Sequence, residues 1–529
     1  MSRAIQQLHR YALAKADRKS RSIQVHRLVQ AAVRSSMSEE EQEDALRVVR
    51  NVLIGARPSE GNVERPENWS RYNTIWPHLE TPWTKYSLDD RIRRLMTEWL
   101  RHLRARGEYA DALSLGEELL TIWQKEAGAS DRWTLHLRFE IANVLRAQGW
   151  YNRALEIDQD VYERQREVLG DDDAHTLVTA GGLTADLRAI GRVRRALEID
   201  RETYERSVDL LGEDHPRSLF AASNLAMSMR MAGDCFEAQT VDKENYDHRA
   251  LTLGSKHPYT LFSMINLGRD LRSCGEYEAS AERLRSVHET AVELGAESPP
   301  ALEAAKALAI TLRRLDKLPE AIELSQGVLD ICRRRLGEAS PETLVVRLGL
   351  AGHLAAAERH EEACAETADL LDRFRAALGE AHPNTLACAV NHGINLLATG
   401  RLAQAQAVCE QARAALKNTL GAEHPFSMNC QVNLANSEAA LGETAKAERN
   451  YHQAYRQLCD RLGADHPAAL VCLGNLSVLL GEAGRTAEAG RVAGESLDVL
   501  SARLGSKHSK VVRMRSGQRV GLELDPHPV

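Results

Sequence analysis

Residues 253–280 have the sequence LGSKHPYTLFSMINLGRDLRSCGEYEAS, and the landmarks of this stretch recur along most of the chain. Gly254 belongs to a glycine series in which eight of the nine intervals are 42 residues and one is 41. The series consists of Gly128, Gly170, Gly212, Gly254, Gly295, Gly337, Gly379, Gly421, Gly463 and Gly505. A fixed period of this size is the signature of stacked supersecondary units.

Each landmark has a local role. The series glycine suits the left-handed residue that ends a helix, a conformation that costs glycine least. Pro258, four residues after Gly254, suits the first turn of the next helix. Gly275, 21 residues after Gly254, breaks the chain for a tight turn. One unit is therefore a first helix (the A helix), a turn, a second helix (the B helix) and a short link, and such units must stack to bury their apolar stripes.

The pattern predicts an all-α solenoid of about ten helical hairpins, a repeat array over residues 88–510. Residues 38–87, which contain three tryptophans, are predicted to form a helical adaptor that caps the first hairpin. Residues 511–529 are predicted to be a basic and then irregular tail. Asp316 and Glu358 replace the second glycine in two consecutive units, where we expect a local irregularity but no break.

Composition supports a helical protein without membrane spans. Only 5% of the residues are aromatic, and no apolar run approaches the roughly 18 residues that a membrane-spanning helix needs. The net charge of −7 is unevenly spread, because residues 1–36 hold eight Lys/Arg and one acid, and residues 503–522 hold six and none. The nine cysteines have no paired spacing, so we expect reduced thiols and a cytoplasmic location.

The repeats resemble the tetratricopeptide repeat in its kinesin-light-chain-like form. That form has LGxxHPxTL at the start of the A helix, NLAxxL within it and a GxYxxA-like turn. Residues 211–233, LGEDHPRSLFAASNLAMSMRMAG, and residues 253–280 match it over most of their length. The resemblance implies a right-handed superhelical solenoid whose concave wall is lined by A helices.

Finer resemblances point to a subgroup. ALEIDQDVYERQREVLG (154–170) and ALEIDRETYERSVDLLG (196–212) look like repeats of actinobacterial proteins in which the array follows a nucleotide-binding module of the NB-ARC/STAND type. SIQVHRLVQAAVRSSM (22–37) is similar to the end of the winged helix of those proteins, so residues 1–37 are interpreted as a winged-helix-like remnant. FxSxx-COOH system tetratricopeptide repeat proteins are similar too. No GxxxxGK[ST] phosphate loop is present, so ATP hydrolysis is not implied.

An asparagine recurs twelve residues after the series glycine. In the family this position often bonds a peptide backbone or a terminal carboxylate, so the resemblance implies groove-facing candidates. These are Asn224, Asn266, Asn391, Asn433 and Asn475. The alternative is that these side chains make hydrogen bonds between repeats.

An arginine stands eighteen residues after the series glycine in five consecutive units. These residues are Arg146, Arg188, Arg230, Arg272 and Arg313. A row of guanidinium groups could bind carboxylates or phosphates of a ligand. The structural alternative is that they stabilise the ends of the A helices or pair with the B-helix acids Asp158, Asp200 and Asp242.

The sequence favours a non-catalytic scaffold that binds a protein or an extended peptide, either acidic or with a free C-terminal carboxylate. No catalytic motif is present, and no cofactor or metal is expected, since the repeated histidines lie one unit apart. One alternative is the sensor half of a STAND-type switch whose ATPase module is missing from this chain. A DNA-binding regulator is a third hypothesis, which the absence of a complete recognition helix argues against. The scaffold hypothesis requires a hollow that is open to another molecule.

Overall fold

The computed structural model of the protein describes residues 10–11, 13–17, 22–58, 63 and 66–528. It divides into two compact units, residues 1–144 and 145–529, and each is described by itself. Within the described residues, no helix has the length and apolar character needed to cross a membrane.

The first unit begins with a small β-hairpin. Strand Ala14–Asp17 pairs antiparallel with strand Ser22–Val25, with Ala14 opposite Val25. The first part of the winged-helix-like remnant predicted for residues 1–37 lies mostly outside the described residues. Short helical segments follow at Arg27–Ser36, Glu39–Ala56, Pro66–Ile75, the 3-10 turn Trp76–His78 and Pro82–Lys85.

Aromatic side chains hold the middle of the first unit together. Trp76 stacks on Tyr72 with ring centroids 4.8 Å apart, and on Trp99 of the first A helix with centroids 5.9 Å apart. His102 of the same A helix is fully buried beside them. These contacts join residues 66–78 to the start of the repeats, which is the position where the sequence predicts an adaptor.

A and B helices then alternate along the chain. The A helices are Asp90–Ala105, Arg132–Ala147, Ala174–Ala189, Pro216–Met231, Pro258–Ser273, Pro299–Arg314, Pro341–Ala356, Pro383–Ala398, Pro425–Ala440 and Pro467–Glu482. The B helices are Tyr109–Glu126, Tyr151–Val168, Val193–Leu211, Cys235–Leu253, Tyr277–Leu294, Leu318–Leu336, His360–Leu378, Leu402–Thr419, Thr444–Leu462 and Thr486–Leu504. The last helix is Ser509–Arg515. The prediction of an all-α solenoid of helical hairpins is confirmed.

The two units without the second glycine keep the same turn. Asp316 and Glu358 adopt φ values of 57° and 61°, close to the 82° of Gly191 at the equivalent position. The left-handed conformation is therefore imposed by the turn even where a side chain makes it costly. The hairpins continue through this region without a break.

Five of the A helices start at a His-Pro pair in which proline is the first helical residue. In the helix Pro383–Ala398, His382 Nδ1 accepts the backbone N–H of Asn384 at 3.0 Å, and Pro383 occupies the first turn. Histidine thus takes the place of the usual N-cap oxygen, and proline costs nothing because its missing N–H has no partner there.

Three of these capping histidines, His382, His424 and His466, and His508 before the last helix also join successive turns of the superhelix in the second unit. Their Nε2–H groups donate to carbonyls at the far ends of A helices about 193 residues earlier in the chain. The bonds are His382 to Ala189 at 2.6 Å, His424 to Met231 at 2.9 Å, His466 to Ser273 at 3.2 Å and His508 to Arg314 at 3.1 Å. One turn of the superhelix in this unit therefore takes slightly less than five repeats.

Candidate functional site

The hollow of the second unit contains the end of the chain itself. Helix Ser509–Arg515 ends at a turn in which Gly517 has a φ of 77°. Residues 518–528, named here the tail, then run without helix or sheet along the A helices. Val520, Leu522 and Leu524 are buried, with 3%, 4% and 1% of their surface exposed, so every second residue of the tail enters the core.

Three of the predicted asparagines form hydrogen bonds with the backbone of the tail. Asn475 donates to the carbonyl of Val520 at 2.8 Å and accepts its N–H at 2.9 Å. Asn433 holds Leu522 in the same way at 2.8 and 2.9 Å. Asn391 holds Leu524 at 2.9 and 2.8 Å. Since alternate residues of an extended chain present their amides on the same side, one asparagine per repeat meets every second tail residue.

Two further asparagines complete this clamp, and the sequence did not point to them. Asn384 donates to the carbonyl of His527 at 3.0 Å and accepts its N–H at 2.8 Å. Asn436 donates to the carbonyl of Val520 at 3.1 Å. The ring of His527 stacks on Phe426 with centroids 4.7 Å apart. The tail therefore crosses the last three full repeats in the direction opposite to the chain order of the repeats.

The other two predicted asparagines bond arginines of the array. Asn224 accepts from Arg188 at 3.1 Å, and Asn266 accepts from Arg269 at 3.3 Å. The asparagines at this repeat position therefore bond the tail in the last three full repeats and bond arginines of the array in earlier repeats.

The arginine row divides in a similar way. Arg146 bonds Asp158 at 2.5 Å and Asp186 at 2.6 Å, and Arg188 bonds Asp200 at 2.6 Å. Burial raises the pKa of Asp158 although the guanidinium of Arg146 opposes this. These charges are neutralised inside the array.

The third arginine of the row has the same arrangement as the first. Arg230 bonds Asp242 at 2.7 Å and also Asp270. Its side chain is only 8% exposed, so the guanidinium is already satisfied by two buried carboxylates. For Arg146, Arg188 and Arg230, the structure places the acids Asp158, Asp200 and Asp242 where the structural interpretation requires them.

The last two arginines of the row face the carboxylates of the tail. Arg313 lies 2.5 Å from Asp525 and 3.0 Å from Glu523, and Arg272 lies 3.8 Å from Asp525. Arg314, which the sequence did not single out, lies 3.0 Å from Asp525. Burial would raise the pKa of both tail acids, but these guanidinium groups, together with the ammonium of Lys510 near Glu523, outweigh burial and lower it.

The expectation of an open hollow is therefore wrong, because the inner wall of the last repeats is covered by the tail. A signal was present in the sequence: residues 519–525, RVGLELD, alternate apolar with polar or small residues, as an extended half-buried chain does. The prediction of an irregular tail overlooked this alternation.

Two cavities remain beside the tail. One of about 160 Å³ is lined by Arg272, Tyr277, Arg314 and Asp525, among others. The second, of about 370 Å³, is lined by His360, Asn395, Arg513 and Gln518 among others. No group of three His, Cys, Asp or Glu side chains in the described part of the chain is placed to hold a metal ion.

Comparison with known families identifies the array. A family model described as Tetratricopeptide repeat matches residues 134–207, 217–291, 301–365, 389–460 and 427–502. These segments cover more than half of the chain, which therefore belongs to the tetratricopeptide repeat family. A second model, described as a domain of unknown function (DUF7779), matches residues 1–42. The predicted relation to NB-ARC/STAND proteins stays a prediction.

Three solved structures are similar to parts of this chain. A putative kinesin light chain from Podosopora anserina with nearly identical TPR-like repeats is 24% identical, with 39% of this chain and 97% of that chain covered and a TM-score of 0.33. BtubC (BKLC) from P. vanneervenii is 18% identical, with coverages of 44% and 92% and a TM-score of 0.32. A Rap protein complexed with Competence and Sporulation Factor is 12% identical, with coverages of 76% and 99% and a TM-score of 0.44.

No curated protein gave a significant match. Tetratricopeptide arrays are in general non-catalytic and present extended concave surfaces to other proteins. The chain accordingly has the fold of a protein-interaction scaffold, although residues 518–528 cover the inner wall of its last repeats.

Proposed function

We propose that the second unit binds an extended acidic segment of a partner protein along the inner wall of its superhelix, and that it performs no catalysis. The observation that carries this proposal is the paired hydrogen bonding of Asn391, Asn433 and Asn475 to the backbone of alternate tail residues. Backbone recognition of this kind does not depend on which side chains the bound segment has.

The arginines supply the preference for acids. Arg313 and Arg314 are only 4% and 12% exposed at their side chains, and both approach tail carboxylates. A buried guanidinium without an anion is costly, so a segment that replaced the tail would need to supply one. The fork of an arginine accepts a side-chain or a terminal carboxylate, so peptides with a free and with an amidated C-terminus should be compared.

A reducing compartment fits the chemistry of the chain. All nine cysteines are free, and all but Cys459 are buried. Thiols remain reduced in the cytosol and are readily oxidised outside it. We propose a cytoplasmic location on this basis.

The test uses the full chain with Glu523→Arg and Asp525→Arg, which turns tail attraction to the arginines into repulsion. This tail-release variant is titrated against a labelled twelve-residue peptide of alternating leucine and glutamate, with fluorescence anisotropy as the readout. We expect saturable binding that weakens with salt, because charge pairing contributes.

Asn433→Ala and Asn224→Ala are added separately to the tail-release variant as a matched pair from the same repeat position. Asn433→Ala removes two backbone hydrogen bonds, a loss of about 1–3 kcal/mol, and should weaken binding roughly tenfold or more. Asn224→Ala should leave it unchanged. Absence of binding both of this peptide and of a peptide of residues 518–528, by a variant that keeps its helical circular dichroism, would contradict the proposed function.

A further inference from the structure

The tail meets three separate requirements of the groove. The first requirement is an apolar side chain at every second position. Val520 and Leu522 pack into one core cluster, and Leu524 packs into another. Each of these residues is also the one whose N–H and C=O an asparagine holds. The register is thus fixed twice, by packing and by backbone hydrogen bonds, and a slip of one residue would bring polar side chains into the core.

The second requirement concerns the residue between the first two apolar positions. A Cβ atom built on Gly521 would lie 2.9 Å from Cγ2 and 3.4 Å from Cδ1 of Ile394. Such a distance is too short for a normal contact, so a larger residue would push Ile394 or the backbone away. The wall therefore leaves little room for a side chain at this position.

The third requirement is an acidic residue directly after each of Leu522 and Leu524. Glu523 and Asp525 stand on the side of the tail that faces Arg313 and Arg314. The four groups balance in charge, with two carboxylates and two guanidinium groups, and Arg272 adds a more distant cation at 3.8 Å. Replacing either acid by a neutral residue would leave two largely buried guanidinium groups to share one carboxylate.

We infer that the partner segment repeats the pattern of residues 520–525: aliphatic, glycine, aliphatic, acid, aliphatic, acid. The tail is the resident competitor for the same wall. This inference rests on the proposed function and adds the class of ligand and the way in which access is controlled. Because the tail is tethered through Gly517, its effective concentration is of the order of millimolar. A partner segment must bind tightly enough to compete with the tail at that concentration.

The experiment uses a labelled peptide of residues 518–528 and two altered peptides, with Gly521→Val and with Glu523→Lys. Each is titrated by anisotropy against the natural full chain and against the tail-release variant. We expect the unaltered peptide to bind the tail-release variant at least tenfold more tightly than the natural chain. Both altered peptides should bind the variant at least tenfold more weakly than the unaltered peptide.

A second measurement needs no variant. Excess unlabelled peptide is added to the natural chain, and hydrogen exchange is followed at the amides of Val520, Leu522 and Leu524. Faster exchange at these amides, dependent on peptide concentration, is expected if the peptide displaces the tail.

The outcomes separate the two proposals. If all peptides, including the leucine-glutamate peptide, bind the variant equally, the ligand pattern is wrong but the proposed function stands. If the natural chain binds as tightly as the variant, and its tail amides exchange quickly without peptide, the tail is not the competitor. If a folded variant binds none of the peptides, both proposals fail. A concentration-dependent dimer of the natural chain would identify the tail of a second copy as the occupant and would overturn the inference.

Discussion

At the scale of single residues, identical side chains at one repeat position perform different tasks. The side-chain amide of Asn433 donates one hydrogen bond to the backbone of Leu522 and accepts another from it. The side chain of Asn224 instead accepts a hydrogen bond from Arg188. Asn433→Ala should therefore make the Leu522 amide exchange roughly 5- to 150-fold faster, because two bonds worth together about 1–3 kcal/mol are lost. Hydrogen exchange by mass spectrometry or NMR measures this.

Asn224→Ala is the control for that experiment. It should leave exchange at Val520, Leu522 and Leu524 unchanged, since Asn224 bonds Arg188 in the array. Equal effects of the two substitutions would show that the Asn433 bonds do not hold the tail in solution.

Glu358 offers a second prediction at this scale. Its φ of 61° lies in the left-handed region, which costs a residue with a Cβ about 1 kcal/mol more than glycine. Glu358→Gly should raise the free energy of unfolding by roughly 0.5–1 kcal/mol, as part of the gain is offset by the entropy of glycine in the unfolded chain. Urea denaturation at constant pH measures this.

Asp316 provides the comparison. Its φ is similar, at 57°, but its carboxylate accepts hydrogen bonds from the backbone and side chain of Ser509. Asp316→Gly relieves the same strain and loses these bonds, so it should stabilise less than Glu358→Gly or should destabilise. A larger gain for Asp316→Gly would contradict this account.

At the scale of elements, the sequence predicted how helices begin and end better than what they touch. The His-Pro pairs identify the starts of A helices because capping is local. The second bond of His382, His424 and His466, to a carbonyl 193 residues earlier, depends on the curvature of the repeats in the second unit. Small rotations between repeats add up to this curvature, and no short motif encodes it.

These histidines make the contact between superhelical turns sensitive to acid. Burial lowers the pKa of His382, His424 and His466 to about 4 from the ordinary 6.5. Between pH 6.5 and 4 the unfolded chain binds protons that the folded chain does not bind, so stability falls as the pH falls through this window. Each histidine should contribute on the order of 1–3 kcal/mol of this loss, measurable by urea unfolding at pH 7 and pH 5.

His424→Asn tests the assignment. Asparagine is a good N-cap, but it does not titrate and removes the imidazole Nε2–H that donates to Met231. The variant should lose about 1 kcal/mol at pH 7 and should show a smaller difference between pH 7 and pH 5 than the natural chain. An unchanged pH dependence would mean that other groups cause it. His215→Asn, at another capping position, is the matched control.

At the scale of the whole molecule, periodicity determined what could be predicted about the groove. Asn391, Asn433 and Asn475 share one repeat position, so the period and the family resemblance together pointed to them. Asn384, Asn436 and Arg314 contact the tail from positions that do not recur as a series. The tail itself occurs once, its asparagine partners lie 45 to 143 residues away in the chain and Arg313 lies 212 residues from Asp525, which a repeat pattern cannot reveal.

Removal of the tail should therefore weaken the last repeats as well as open the groove. A chain ending at Ser516 loses the burial of Val520, Leu522 and Leu524, about 1.5–3 kcal/mol for each side chain, and leaves buried asparagines and arginines without partners. We expect earlier urea unfolding and faster hydrogen exchange centred on residues 383–504. A peptide of residues 518–528 should restore stability by RT ln(1 + [L]/Kd), a gain that grows with peptide concentration. If truncation leaves the unfolding midpoint unchanged and the peptide has no effect, the tail contributes nothing to holding these repeats together.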